Sequence, residues 1–383
     1  MSQQQQHTPW SGAVLAYPMH GQRKLSDEGY RTRDGHVIEW LGRSFGSHGG
    51  VDVVSRPEPA IARRPRSDRS LAPGTHPHET RTFRFPNPFS RRRWWVTATA
   101  AYPRIAHIAD ATPAIVWNPF TALAPAGATP FADSRVTVLD LLDDWSKHYA
   151  FAPIAAHVER AYAAAFERAT HVTANAEGTA ELARRFGRDD VILVPNGCDP
   201  ERFSPNHTAT GPTTVGYVGK IGRRLDLPGI VATITALPHV RFVFAGPILD
   251  AEYRAPLAAL GNVELLGDVH YSDVPELLEG FDVGWVPHRV GAGEVGGDII
   301  KTYEYRAAGL PTLTTPVAGA GTRGIDGVTT TRIHEHAEVI GDWTRSATRV
   351  PRTPTTIPVG ATWRDKTDLI TDLLVGSSVG VSR

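Results

Sequence analysis

Lysine is nearly missing from this chain, with five residues against 35 arginines in a length of 383. The imbalance fits the codon usage of a GC-rich genome and carries no chemistry of its own, but it makes each lysine worth locating. Cysteine is scarcer still: Cys198 stands alone, which excludes an internal disulfide. No apolar run reaches eighteen residues, so a membrane-spanning helix is excluded. Residues Met1–Gln6 lack the charged-then-apolar order of a secretory signal, and a cytoplasmic location is expected. Net charge is absent too, 40 basic against 40 acidic residues, which argues against a general nucleic-acid binder while leaving room for local basic patches.

What is present is a globular composition, 41% hydrophobic and 21% charged, in a chain too long for one ordinary core. Two domains are expected. Apolar runs at Ala13–Tyr17, Val37–Trp40, Trp94–Thr99, Ala114–Trp117 and Val136–Leu139 read as strands of a first α/β domain over residues 1–203. An Ala-rich amphipathic helix from Pro153, a strand at Thr170–Ala174, a helix closing at Gly187 and a strand at Val191–Val194 complete it. After a Pro/Thr/Gly/Asn-rich linker at Ser204–Thr214, strand and helix alternate in short units as far as Pro311–Thr315, which predicts a second parallel-sheet domain over 204–361. A final helix, Thr362–Leu374, is placed apart and could pack back on the first domain. Ligands of such sheets lie outside the carboxyl ends of the strands, and two of them joined by a linker predict a cleft.

The most informative segment is Lys301-Thr302-Tyr303-Glu304-Tyr305-Arg306-Ala307-Ala308, followed by Gly309-Leu310-Pro311 and a β-branched strand. It reads as a helix stopped by Gly and Pro, with a base and an acid three residues apart on one face. A helix start offers unpaired N–H groups and partial positive charge, so Lys301 suits a phosphate and Glu304 suits hydroxyl groups. A second segment, Val215 to Arg224, runs from a strand into Gly219 and Gly222, where backbone can approach a pyrophosphate closely. Lys220, with Arg223 or Arg224, can neutralise it through charge-assisted hydrogen bonds. Both are strand-end segments of the same sheet, and two of the five lysines fall in them.

Val194-Pro195-Asn196-Gly197-Cys198-Asp199-Pro200-Glu201-Arg202-Phe203 resembles a segment of the retaining glycosyltransferases of family 4. That family has the GT-B fold, an α/β architecture of two facing Rossmann-like domains. The order of that family continues through Tyr217–Arg224, Phe242–Pro247, Gly267-Asp268-Val269 and Lys301–Pro311. The run Val138 to Trp145 is similar to a subgroup with a double aspartate and Trp after a first-domain strand. The resemblance implies transfer of a sugar from a nucleoside-diphosphate sugar, with retention of configuration and without metal or other cofactor. It further implies that Lys220 and Arg224 hold the pyrophosphate at Gly219, that Glu304 takes the ribose hydroxyls, and that Gly267 to Val269 border the base.

Departures from the family pattern define the open positions. The family's first glutamate, seven residues before the second, is Gly296 here; Glu294 or Asp298 could substitute, or the backbone N–H groups of Gly296 and Gly297. Where many relatives carry a histidine before Glu-Pro, this chain reads Trp117-Asn118-Pro119, which brings His148 and His20 into consideration at the sugar. Asp143 or Asp144 could serve as a base or orient the acceptor, since the leaving phosphate oxygen can itself take the proton; equally, they could cap the helix before Trp145.

The first domain's own feature is a stretch rich in Arg and Pro, 56–93, closing on Arg91-Arg92-Arg93-Trp94-Trp95. Read blandly it is a solvated insertion. Read functionally, Arg91, Arg92 and Arg93, with Trp117 and Asn118, contact an acceptor, either a small molecule or a lipid-linked one. In that case a peripheral membrane contact stays open. Natural-product tailoring and cell-surface glycan assembly both fit, as do two other classes: a nucleotide-sugar epimerase of the same fold and a catalytically silent nucleotide-sugar binding protein. The oligomeric state is left open.

Overall fold

The computed structural model describes residues 12–61, 70–87, 90–105, 112–291, 297–317, 323–345, 349–353 and 357–376. The chain divides into two compact units, residues 1–195 with 363–383, and residues 196–362. Among the described residues no helix is long and apolar enough to cross a membrane.

The first unit is built on a parallel sheet of seven strands: β1 (Val14–Tyr17), β2 (Val51–Val54), β4 (Thr75–His78), β6 (Ala114–Val116), β7 (Thr137–Leu141), β8 (His171–Ala174) and β9 (Ile192–Leu193). A small two-stranded sheet adds β3 (Glu58–Pro59) and β5 (Arg81–Thr82). The large sheet runs in the order β4-β2-β1-β6-β7-β8-β9. From β1 the chain builds outward through β2 and β4, then returns to the other side of β1 with β6. The order therefore reverses between β1 and β6, the position where open α/β sheets form a crevice outside their carboxyl ends.

Two expected strands are helices. Val37–Trp40 lies inside the helix Arg33–Phe45, where Val37, Ile38, Leu41 and Phe45 are buried at the spacing of one helical face. Trp94–Thr99 falls in a short helix, Trp94–Thr97, and the turn after it; Trp94 is buried and its indole N–H donates to the carbonyl of Pro57 at 3.0 Å. Conversely, β2 was not expected because Asp52 interrupts its apolar run. That carboxylate meets Nε2 of His78 at 2.5 Å, on the neighbouring strand β4. The Arg- and Pro-rich stretch is thus not merely an insertion, since it supplies an edge strand of the main sheet. The helices Ala155–Arg168 and Glu177–Arg185 flank β8 as expected, and the second closes on Gly187, whose φ of +80° suits glycine. The helix Trp363–Val375 belongs to this unit, and the buried Trp363 stacks on His36 with ring centroids 4.6 Å apart.

The second unit holds a six-stranded parallel sheet of β10 (Thr214–Val218), β11 (Arg241–Ala245), β12 (Val263–Gly267), β13 (Val283–Val286), β14 (Thr312–Thr314) and β15 (Val328–Thr330). Its order is β12-β11-β10-β13-β14-β15, so the direction of building reverses between β10 and β13. Apolar residues pack on both faces of the sheet. Val215, Phe242, Phe244 and Trp285 are buried with Ile230, Ile234 and Leu257 on one side. Val243 and Val286 are buried with Tyr303, Tyr305 and Leu278 on the other. Every strand expected in this region is present; β15, a Val-Thr-Thr run too short to signal itself, is additional.

Candidate functional site

In the second unit the carboxyl ends of three adjacent strands carry Gly219, Gly246 and Gly267. The N–H of Gly219 donates to Ala245 at 2.7 Å, and that of Gly246 to Gly267 at 2.6 Å. Gly219 has φ of +147° and Gly246 φ of +150°, and a β-carbon on Gly246 would sit 1.9 Å from the carbonyl oxygen of Gly219. Only glycine allows this approach. A β-carbon on Gly219 would lie 2.4 Å from Cε of Lys301, so the lysine rests directly on the loop. Its ammonium is 5.3 Å from the ring centroid of Tyr217. The Tyr217 hydroxyl donates to the carbonyl of Lys220 at 3.0 Å, while the Val218 N–H donates to the Tyr305 hydroxyl at 2.8 Å. These bonds tie the end of β10 to the helix Ile300–Ala307, which carries Lys301 and Glu304. The two segments singled out in the sequence therefore meet.

His288, just beyond β13 on the far side of the reversal point, was not anticipated. Its Nε2 is buried without a hydrogen-bond partner among the described residues. Burial, followed by the charges of Lys301 and Arg224, holds the imidazole well below its usual pKa. It is thus neutral at physiological pH beside two cations. The only signal in the sequence was positional: it is the residue that follows Val-Pro at the end of a strand flanking the reversal point. Arg223, by contrast, pairs with Glu252 at 2.9 Å on the surface, which leaves Arg224 as the arginine beside the site.

Glu304 is 6% exposed, and its Oε1 has no hydrogen-bond partner among the described residues. Burial raises its carboxyl pKa to about 7, against the lowering influence of Tyr271, Lys301 and Arg202; Asp199 pushes it further up. Asp298 is engaged elsewhere. Its carboxylate accepts from the N–H of Asn196 at 2.9 Å and the Tyr303 hydroxyl at 2.7 Å, fixing the Pro-Asn-Gly turn. Gly297 precedes it, and Glu294 and Gly296 lie outside the described residues. Gly267 is exposed with φ of +76°, and Val269 packs partly against the buried cluster containing Tyr271 and Val274.

In the first unit the polar residues at strand ends are mostly satisfied by one another. Trp117 is 2% exposed and its indole N–H donates to Asp140 at 2.6 Å; Asp140 also takes two bonds from Arg33, at 2.8 and 2.9 Å. No surface of Trp117 is left for a ligand. Asn118 is buried, and its amide donates to the Tyr102 hydroxyl at 2.9 Å. Asp144 pairs with Arg185 at 2.6 Å and accepts from the backbone N–H of Ser146 at 3.0 Å, closing a turn before any helix starts. Asp143 beside it is buried, and the Tyr162 hydroxyl donates to its carbonyl at 3.1 Å. His148 accepts from the N–H of Ala150 at 3.1 Å and stacks on Tyr149 with centroids 4.8 Å apart. His20 follows β1, with Nδ1 3.5 Å from Asp34. Burial alone would raise Asp34, but the hydrogen bond and charge of His20 outweigh it and bring its carboxyl down to about 2. Arg91, Arg92 and Arg93 form an exposed turn, of which, among the described residues, only Arg92 reaches an aromatic face, 5.1 Å from the centroid of Phe151.

Residues 212–342, the core of the second unit, match the family model described as glycosyl transferases group 1. The match lies wholly within the second unit. Gly219, Gly246, Gly267, Lys301 and Glu304 all fall within the matched residues. Among curated proteins, one from Bacillus subtilis (strain 168), TuaH, whose naming as a teichuronic acid biosynthesis glycosyltransferase is itself provisional, is 29% identical over 140 residues. The match covers 34% of this chain and 35% of that protein, so the chain spans about a third of the curated relative's length. Among solved structures, Anabaena Alr3699/HepE in complex with UDP and glucose aligns over 95% of both chains at 16% identity and a TM-score of 0.58. The UDP-GlcNAc 2-epimerase of Neisseria meningitidis bound to UDP-GlcNAc aligns over 94% of this chain and 99% of its own, at 13% identity and a TM-score of 0.52. These likenesses show the fold, which is GT-B: two α/β units, each on a parallel sheet.

Proposed function

We propose that the chain transfers a sugar from a nucleoside-diphosphate sugar to an acceptor hydroxyl, with retention of anomeric configuration and without a metal. The observation that carries this reading is the meeting of Lys301, Arg224 and the neutral His288 at the reversal point of a group 1 glycosyltransferase sheet, with the glycine loop of Gly219 beneath Lys301. Cleavage of the donor puts negative charge on the departing diphosphate. Fixed cations and backbone N–H groups stabilise that charge without reorganising. His288 contributes a hydrogen-bonding nitrogen rather than a third positive charge. Glu304, once ionised, has an unused oxygen with which to accept from ribose hydroxyls. Because the leaving group is already a good one, the remaining task is positioning, and the leaving oxygen can take the acceptor's proton.

An epimerase shares the fold, so architecture does not separate the two activities; the group 1 domain match favours transfer. A thermal-shift screen of nucleoside diphosphates identifies the base, because a ligand of the folded state raises apparent stability. Incubation with the matching nucleotide sugar, with and without sugar acceptors and with a chelator present, then decides. Transfer releases nucleoside diphosphate in step with a new glycoside whose anomeric configuration is that of the donor. A changed sugar still attached to its nucleotide would mean epimerisation. Nucleotide binding with neither product, across an acceptor panel, would mean a silent binding protein.

A further inference from the structure

The end of β2 carries an arginine whose position resembles none of the saturated polar groups around it. Arg56 stands two residues beyond Val54, at the carboxyl edge of the first unit's sheet. Its guanidinium carbon lies 3.7 Å from the ring centroid of Trp95, stacked rather than solvated. Nε and Nη1 are both buried, and neither has a hydrogen-bond partner among the described residues. Burying a guanidinium with unused donors is costly unless an acceptor is supplied. Glu58 lies close enough to influence it but forms no ion pair with it among the described residues, and Arg92 adds a second positive charge. Arg92 is itself held on an aromatic face, that of Phe151. The Tyr102 hydroxyl, near Arg56, already accepts from Asn118 and keeps its own proton to donate.

We propose that Arg56, Arg92 and the Tyr102 hydroxyl form a site in the first unit for an anionic group of the acceptor, a phosphate or a carboxylate. Two cations on aromatic platforms and a hydroxyl donor lie at the carboxyl edge of the sheet, where ligands of parallel sheets bind, and an oxyanion supplies the acceptors that this cluster lacks. The aromatic rings hold the guanidinium groups in place, so little side-chain freedom is lost on binding. The donor's own phosphates have their cations in the other unit. The charge recognised here therefore belongs to the second substrate, a point that rests on the transferase reading.

The test uses the full chain, saturated with UDP so that phosphate sites in the second unit are occupied, and calorimetric titration with glucose 6-phosphate, glucuronate and glucose. Binding of one or both anionic sugars but not glucose is expected, weakening modestly with added salt because the exposed charge of Arg92 is screened while that of Arg56 is largely buried. Arg56→Gln and Arg92→Gln should each weaken it tenfold or more, and Tyr102→Phe should weaken it with the fold untouched. UDP affinity should stay the same in all three variants. Preference for one anion settles whether the group is phosphate or carboxylate. Absence of anion binding in the wild type, or equal binding in wild type and Arg92→Gln, an exposed position where folding is not at risk, would overturn the proposal. If UDP does not bind, the nucleoside diphosphate found in the thermal-shift screen takes its place; if none binds, the nucleotide-sugar reading falls, and the same anion titration without nucleotide still decides this one.

Discussion

The two sheets end in contrasting ways. At the strand ends of the first unit, carboxylates and indoles are closed into networks: Asp34 with His20 and Thr32, Asp140 with Arg33, Trp117 and Thr173, Asp144 with Arg185 and Ser146. At the strand ends of the second, Glu304 and His288 each keep a buried atom that has no partner among the described residues, beside cations. A native interior normally satisfies its buried polar atoms. Groups left open are therefore candidates for ligand contact, and closed networks are candidates for holding the fold. By that criterion Arg56 belongs with the second unit's residues although it lies in the first.

Substitutions can break this contrast, and the largest effect is expected where the network is closed. Arg33→Ala leaves Asp140 buried without its cation and should cost about 3 to 5 kcal/mol of stability. A large drop in Tm, with nucleotide affinity of the remaining folded protein unchanged, is the expected result; an unaltered Tm would mean the pair is not structural.

Glu304→Ala should retain the fold and weaken nucleotide binding tenfold or more, about 1.4 kcal/mol. The same residue predicts a pH dependence. Its carboxyl is raised to about 7, and the ionised form accepts ribose hydroxyls, so nucleotide affinity should rise between pH 6 and 8. Stability of the free protein should change in the opposite sense. The folded carboxyl keeps its proton to higher pH than an unfolded one, so its contribution is full below about 4.5 and falls as pH rises towards 7. Glu304→Gln should flatten both profiles, and calorimetry across that range checks both.

Lys220→Ala and Arg224→Ala should lower turnover more than donor affinity, since the charge they meet grows as the donor bond breaks. Equal losses in the two quantities would assign them to ground-state binding alone. His288→Phe should reduce turnover several-fold with no change in the neutral pH profile, because the imidazole is already uncharged there. The smallest effect belongs to Arg91→Gln with Arg93→Gln. Both are exposed and touch no aromatic face, so acceptor binding should shift less than twofold, whereas Arg92→Gln moves it tenfold.

The second unit was readable from sequence because its signals are local. Glycines at strand ends, and a lysine and a glutamate three residues apart, specify one another within a few residues of chain. The first unit was harder because its decisive partners are distant: Arg33 and Asp140 are 107 residues apart, and Asp144 and Arg185 are 41 apart. Asp52 hid strand β2 for the same reason, since its partner His78 lies 26 residues on. Trp117 and Asn118 were placed correctly at the end of β6, but which way their side chains turn depends on Asp140 and Tyr102, which no spacing rule connects to them. Arg56 sat unnoticed inside a run of arginines. What distinguishes it from Arg91 and Arg93 is the ring of Trp95 beneath it, a tertiary fact.

The scarcity of lysine and the seating of Lys301 on Gly219 together give the molecule an unusual reactivity map. Of the five amines, Lys24 and Lys147 are exposed, Lys366 is buried, and Lys220 and Lys301 sit half-buried at the glycine loop. An acylating reagent therefore has few places to go. Peptide mapping after brief labelling, with and without bound nucleotide, would report occupancy of the proposed donor site from the masking of two side chains, with Lys24 and Lys147 as internal standards.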